Sequence, residues 1–128
     1  MDSRLLWVTL AGAAGTAARY WLTGWAPQAF GTAFPYGTLL VNAIGSFLLG
    51  AIMHVGVSTE LLAPNVRIAL AVGVLGGFTT YSSFSWETLR YLQEGAWGIG
   101  FLYVASTLFG CLVACALGFG IAKWLFGA

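Results

Sequence analysis

Four stretches of this chain, 5–18, 20–59, 68–86 and 95–122, contain no Asp, Glu, Lys or Arg. A helix that crosses a bilayer needs about 20 consecutive, mostly apolar residues. The uncharged runs therefore predict four spans, at 5–25, 37–56, 67–90 and 98–121, with little chain left over. Composition agrees: 59% of the residues are hydrophobic and 7% charged, where an average soluble domain carries about 25% charged residues. A soluble monomer is excluded. The expectation is an all-α integral membrane protein forming a single domain over residues 1–128, and a multi-pass protein of the cell (inner) membrane.

The connections fit that reading. The first, at 26–36, holds Pro27, Gly31 and Pro35, and the second, at 57–66, holds Glu60, Pro64 and Asn65. The third is short, with Gln93, Glu94 and Gly95 as turn material. Most of the six tryptophans fall near the ends of the runs, where interfacial aromatic belts form. The start of the chain leads into a run without a convincing small-residue cleavage site, so it reads as a retained span and not a signal peptide. A net charge of +1 offers no basic patch for nucleic acid. Cys111 and Cys115 have neither a disulfide-framework nor a zinc spacing and read first as small apolar filler.

Orientation is weakly specified. With four spans, Arg4, Arg67 and Lys123 share one side, while Arg90, and Arg19 if it snorkels, belong to the other. Lys/Arg asymmetry sets topology, and so small a bias leaves two options open: a single orientation, or insertion both ways up. The second would permit an antiparallel homodimer with its two-fold axis in the membrane plane.

The third run carries the chemistry: Gly73, Gly76, Gly77, Thr79, Thr80, Tyr81, Ser82, Ser83, Phe84 and Ser85 within thirteen positions. Adjacent glycines followed by threonines and serines make a poor uninterrupted helix, so a break is expected near the membrane centre. Unwound backbone at that depth must be buried in protein or line a wet cavity. In the second run Asn42, Ser46 and Gly50 recur every four residues, and in the fourth Tyr103, Thr107, Cys111 and Cys115 do the same. Lipid does not solvate such groups, so both stripes are expected to face inward. Arg19 is the one basic residue well inside a predicted span. Asp2, Glu60, Glu87 and Glu94 are expected at span ends or in loops. An interior of hydroxyls, amides and one arginine suits a small anion. A small dual-topology proton-coupled multidrug exporter is the alternative, and it lacks the buried carboxylate that its proton exchange requires.

Two blocks of the sequence resemble signatures of a known family. Gly37-Thr38-Leu-x-Val-Asn42-x-x-Gly45-Ser46-Phe47-Leu-x-Gly50 and Gly76-Gly77-Phe78-Thr79-Thr80-Tyr81-Ser82-Ser83-Phe84 look like the two blocks of the Fluc (CrcB) fluoride channels. Gly12-x-x-Gly15-x-x-x-Arg19-Tyr20 is similar to the family's first-span pattern. The resemblance implies a passive fluoride-selective channel, not an enzyme, that protects the cell from fluoride. Its assembly would be an antiparallel, dual-topology dimer with two pores. A structural Na+ would sit at the two-fold axis, on backbone carbonyls matching Gly76 and Thr79. Each pore would be lined by residues matching Asn42, Tyr81 and Phe84, the two rings coming from opposite subunits. Tyr103, Thr107 and Cys111 match the polar track of the fourth span, Thr38 and Ser83 are further contacts, and Arg19 matches the vestibule arginine. This chain departs from the family pattern at two of these positions: Tyr81 stands where phenylalanine is usual, and Cys111 where a hydroxyl is.

Overall fold

The computed structural model describes residues 3–127, and these are helical with short connections. Helix α1 (Ser3–Phe30) is followed by α2 (Tyr36–Ser58). Then come α3 (Pro64–Ile68), a π-helical stretch (Ala69–Val74), α4 (Leu75–Phe78) and α5 (Tyr81–Gln93), and α6 (Trp97–Phe126) closes the chain. Punctuation follows residue chemistry. Gly31 at φ 87° ends α1 and Gly95 at φ 75° follows α5, a left-handed geometry that glycine adopts without Cβ strain. Pro64 opens α3, where its missing N–H would be unpaired in any case.

Three segments are long and apolar enough to cross a membrane: Tyr36–Ser58, Pro64–Gln93 and Trp97–Phe126. The chain is a multi-pass membrane protein. Helix α1 has the length, at 28 residues, yet is not among those three; Arg4, Arg19, Gln28 and three threonines dilute its hydropathy. It also runs to Phe30, beyond the end expected at residue 25. Large apolar side chains face outward throughout, among them Leu112, Phe109 and Val113 on α6, as they must where lipid replaces water as solvent.

Small residues set the packing. A Cβ on Gly50 would overlap the Cys115 carbonyl, and one on Gly118 would overlap the Phe47 carbonyl, so α2 and α6 touch backbone to backbone. Close approach of this kind replaces the hydrophobic drive that is absent between helices in lipid. Likewise Gly15 lies against the carbonyl of Val74, and Gly77 against that of Gly12, seating α1 on the π stretch and α4. His54 is buried between α2 and the end of α6, with Nε2 2.8 Å from the Gly127 carbonyl and its ring edge-on to Phe119.

Candidate functional site

Between α4 and α5 the backbone leaves helical geometry. Thr79 (φ −88°, ψ 158°) and Thr80 (φ −149°, ψ 116°) are extended. Their polar groups are met individually. The Asn42 carboxamide spans the Thr80 peptide groups from α2, with Nδ2 donating to the Thr80 carbonyl at 3.0 Å. The Thr80 N–H donates back to its Oδ1 at 2.8 Å. The Thr80 Oγ1 accepts from the Ser83 N–H at 3.2 Å, capping α5 as hydroxyls do at helix starts. The Thr79 hydroxyl donates to the Leu75 carbonyl at 2.9 Å. Arg19 reaches across from α1, and its Nε donates to the Gly77 carbonyl at 3.0 Å; a cation is stabilising at the carbonyl end of a helix. These bonds use the carbonyls of Leu75, Gly77 and Thr80 but not those of Gly76 and Thr79, and Gly76 has open space where a Cβ would stand.

Beside the break lies a cavity of about 360 Å³ whose polar lining includes Asn42, Ser46, Thr79, Thr80, Thr107 and Cys111. Tyr81 and Phe84 line it too, and among the described residues no Asp, Glu, Lys, Arg or His does. The Thr107 Oγ1 is buried without a hydrogen-bond partner, and the Cys111 thiol and the Ser46 hydroxyl share the cavity wall. Asn42 has spent one of its two N–H bonds on Thr80, so one donor is left for the cavity. The Tyr81 and Phe84 rings meet edge-on, with centroids 5.6 Å apart, and Tyr81 is 80% exposed. An aromatic edge is the positive part of the ring's quadrupole. The cavity therefore offers weak positive potential and hydrogen-bond donors without a fixed charge.

The expected site residues do not all meet here. Thr38 and Tyr103 stand apart, gathered around Glu87. The Thr38 hydroxyl donates to one carboxylate oxygen at 2.6 Å and the Tyr103 phenol to the other at 3.2 Å. Glu87 is thus no spectator at a span end, as its place in the sequence suggested. It is seated within α5, its two oxygens taken by hydroxyls from α2 and α6. The signal was present: Glu87 follows Phe84 by three residues, one helical turn along the same face. Phe84 bridges the two clusters, with its ring centroid 5.1 Å from that of Tyr103. Arg19 touches the break and not the cavity, and Ser83, which does not line the cavity either, caps through its N–H while its hydroxyl accepts from that of Thr80 at 3.1 Å.

Residues 6–119 match the family described as CrcB-like protein, Camphor Resistance (CrcB). A fluoride-specific ion channel FluC of Sorangium cellulosum (strain So ce56) is 54% identical over 122 residues, covering 95% of this chain and 96% of the relative. One from Anaeromyxobacter sp. (strain K) is 49% identical over 125 residues, 98% of this chain and 99% of the relative. A third, from Geobacter sp. (strain M21), is 44% identical over 122 residues, with 95% and 98% covered. With relatives this similar over nearly their whole length, and a match that runs from α1 into α6, the chain belongs to the CrcB family.

Proposed function

We propose that this protein is a fluoride-selective channel, not an enzyme, through which F− leaves the cell passively. The observation that carries this reading is the uncharged cavity beside the break, lined by the Asn42 amide, the unpartnered Thr107 hydroxyl and the Tyr81 and Phe84 rings. Neutral donors replace part of an anion's hydration shell while leaving it able to depart, the balance that conduction requires. An inside-negative potential supplies about 2.3 kcal/mol per charge per 100 mV, enough to drive exit without a pump. The full names of the relatives, fluoride-specific ion channel FluC, point to the same ion.

The assembly we infer is an antiparallel, double-pored dimer of four-span subunits, each with its third span broken near the membrane centre. The support is local. The Gly76 and Thr79 carbonyls take no part in closing the break, and Gly76 is open to a second copy. Two inverted copies would present four neutral carbonyls, a donor set suited to a hard monovalent cation. Among the described residues no cluster of His, Cys, Asp and Glu competes for a metal. A structural Na+ held there would neutralise converging carbonyl dipoles and tie the subunits together. Arg19, on the Gly77 carbonyl, would steady the same segment.

Glu87 favours one second reading. A carboxylate inside a span is what a proton-coupled exporter needs, and Glu87 is one. Its two oxygens are engaged by Thr38 and Tyr103, however, and it does not line the cavity beside the break. Efflux from proteoliposomes separates the two. Purified protein is expected to release fluoride down its gradient, as read by a fluoride electrode, at a rate indifferent to an imposed proton gradient and far above that of chloride. Chloride leaving equally fast, or a requirement for a proton gradient, would sink the channel reading.

Topology has its own test. An impermeant thiol reagent applied to a cysteine in an added C-terminal tag is expected to label about half of the copies from each side, as inverted copies of one chain require. Labelling from one side alone contradicts the antiparallel dimer and the four-carbonyl cation site with it.

A further inference from the structure

We propose that Phe34, in the connection between α1 and α2, lines the mouth of the anion's route. This rests on the channel reading above. Phe34 belongs to neither sequence block that suggested a pathway.

The rings form a continuous series. Tyr81 meets Phe84 at 5.6 Å, Phe84 meets Tyr103 at 5.1 Å, and Tyr103 meets Phe34 at 5.5 Å, nearly perpendicular at 83°. Each contact is edge-to-face. Cavities lie at both ends of the series. The cavity beside the break reaches Phe84. A second one, of about 410 Å³, is lined by Phe34, Tyr36, Thr38, Glu87, Arg90 and Glu94 among others. Tyr103 lines neither cavity and is 0% exposed. It is the partition between them, with Phe84 against it from one cavity and Phe34 from the other.

An ion passing from the break to the second cavity must therefore cross at Tyr103. There the phenol is held by Glu87, and that carboxylate repels an anion. On the outer side Tyr91 stands 6.4 Å from the partition ring, and nearer, at 5.5 Å, is Phe34. Its edge offers the same weak positive potential that Tyr81 and Phe84 offer further in. Arg90 is the cation lining this mouth, and it is shared with Glu94 at 3.4 Å. That pairing offsets part of the Arg90 charge at the mouth. Gly31 at φ 87° and Pro35 bracket the connection, fixing where Phe34 sits.

A charge placed at position 34 reads the route directly. Phe34→Cys would be labelled in detergent with either an anionic sulfonate or a cationic trimethylammonium methanethiosulfonate, then reconstituted for fluoride efflux. The parent protein, whose Cys111 and Cys115 are its two thiols, passes through the same treatment as the control. Mass spectrometry confirms the label. The sulfonate-labelled protein is expected to conduct about tenfold more slowly than the ammonium-labelled one, the order that unit charges within a few ångströms of an ion's path produce. A residue that only packs would respond to the bulk of both labels alike. Equal effects, no effect, or a thiol that will not label overturns the proposal.

Phe34→Ile gives an independent arm, since it keeps the apolar bulk and discards the quadrupole. Fluoride efflux is expected to fall about three- to tenfold, and an unchanged or faster rate overturns the proposal. A parent protein that does not pass fluoride would instead overturn the channel reading on which this rests.

Discussion

Asn42→Ala is expected to abolish fluoride efflux and to destabilise the folded protein by about 2–6 kcal/mol. The carboxamide pairs both the N–H and the C=O of Thr80, and each buried backbone group left without a partner costs about 1–3 kcal/mol. Asn42→Asp separates the structural from the conducting function. Its carboxylate can still accept from the Thr80 N–H, but it cannot donate to the Thr80 carbonyl, and it sets a negative charge on the cavity wall. It should recover part of the thermal stability lost in Asn42→Ala while remaining unable to pass fluoride. Thermal unfolding in detergent measures the first quantity and proteoliposome efflux the second. A conducting Asn42→Asp protein would remove Asn42 from the pathway.

Phe84→Ile should reduce fluoride efflux by about tenfold to a hundredfold while the dimer still forms. The ring bridges Tyr81 and Tyr103. A loss of about 1.4–2.7 kcal/mol of ion stabilisation along the path corresponds to that range in rate. Isoleucine preserves bulk and apolar character, which makes the loss a measure of the quadrupole. Tyr81→Phe is the complementary variant. It removes a phenol from the wall of a narrow cavity and keeps the ring, so the rate should be maintained or raised. Size-exclusion chromatography beside the flux assay distinguishes lost conduction from lost assembly. An active Phe84→Ile protein means the ring edges do not carry the ion.

Much of this was written in the chain itself. Long uncharged runs, such as 20–59 and 95–122, mark membrane helices whatever their partners. Gly76 and Gly77 followed by Thr79 and Thr80 weaken helical propensity locally, and the backbone is extended at those two threonines. The four-residue spacing of Thr107 and Cys111, and of Asn42 and Ser46, places each pair on one helix face, and all four line one cavity. These inferences depend on neighbours within a turn or two, which is the range over which sequence acts directly.

The partners were not legible, and the reason is physical. In a soluble helix the apolar stripe shows which face is buried. Here lipid and protein interior are equally apolar, so helices such as α6 are hydrophobic all round and their rotation is left undetermined. Which atom meets which is then decided by close backbone approach at Gly15, Gly50, Gly77 and Gly118, and by a few polar groups that must find one another across the fold. Nothing local says that the Asn42 amide would be half spent on Thr80, that Arg19 would reach the Gly77 carbonyl, or that Phe34 would cover Tyr103. Nor does it say that Glu87, which looks in sequence like the charged end of a span, would sit between Thr38 and Tyr103. Sequence determined that this chain crosses the membrane and where its helix gives way. Packing of the helices decided which donors were left free at that point, because pairing across 38 to 61 positions depends on how whole helices are rotated and seated.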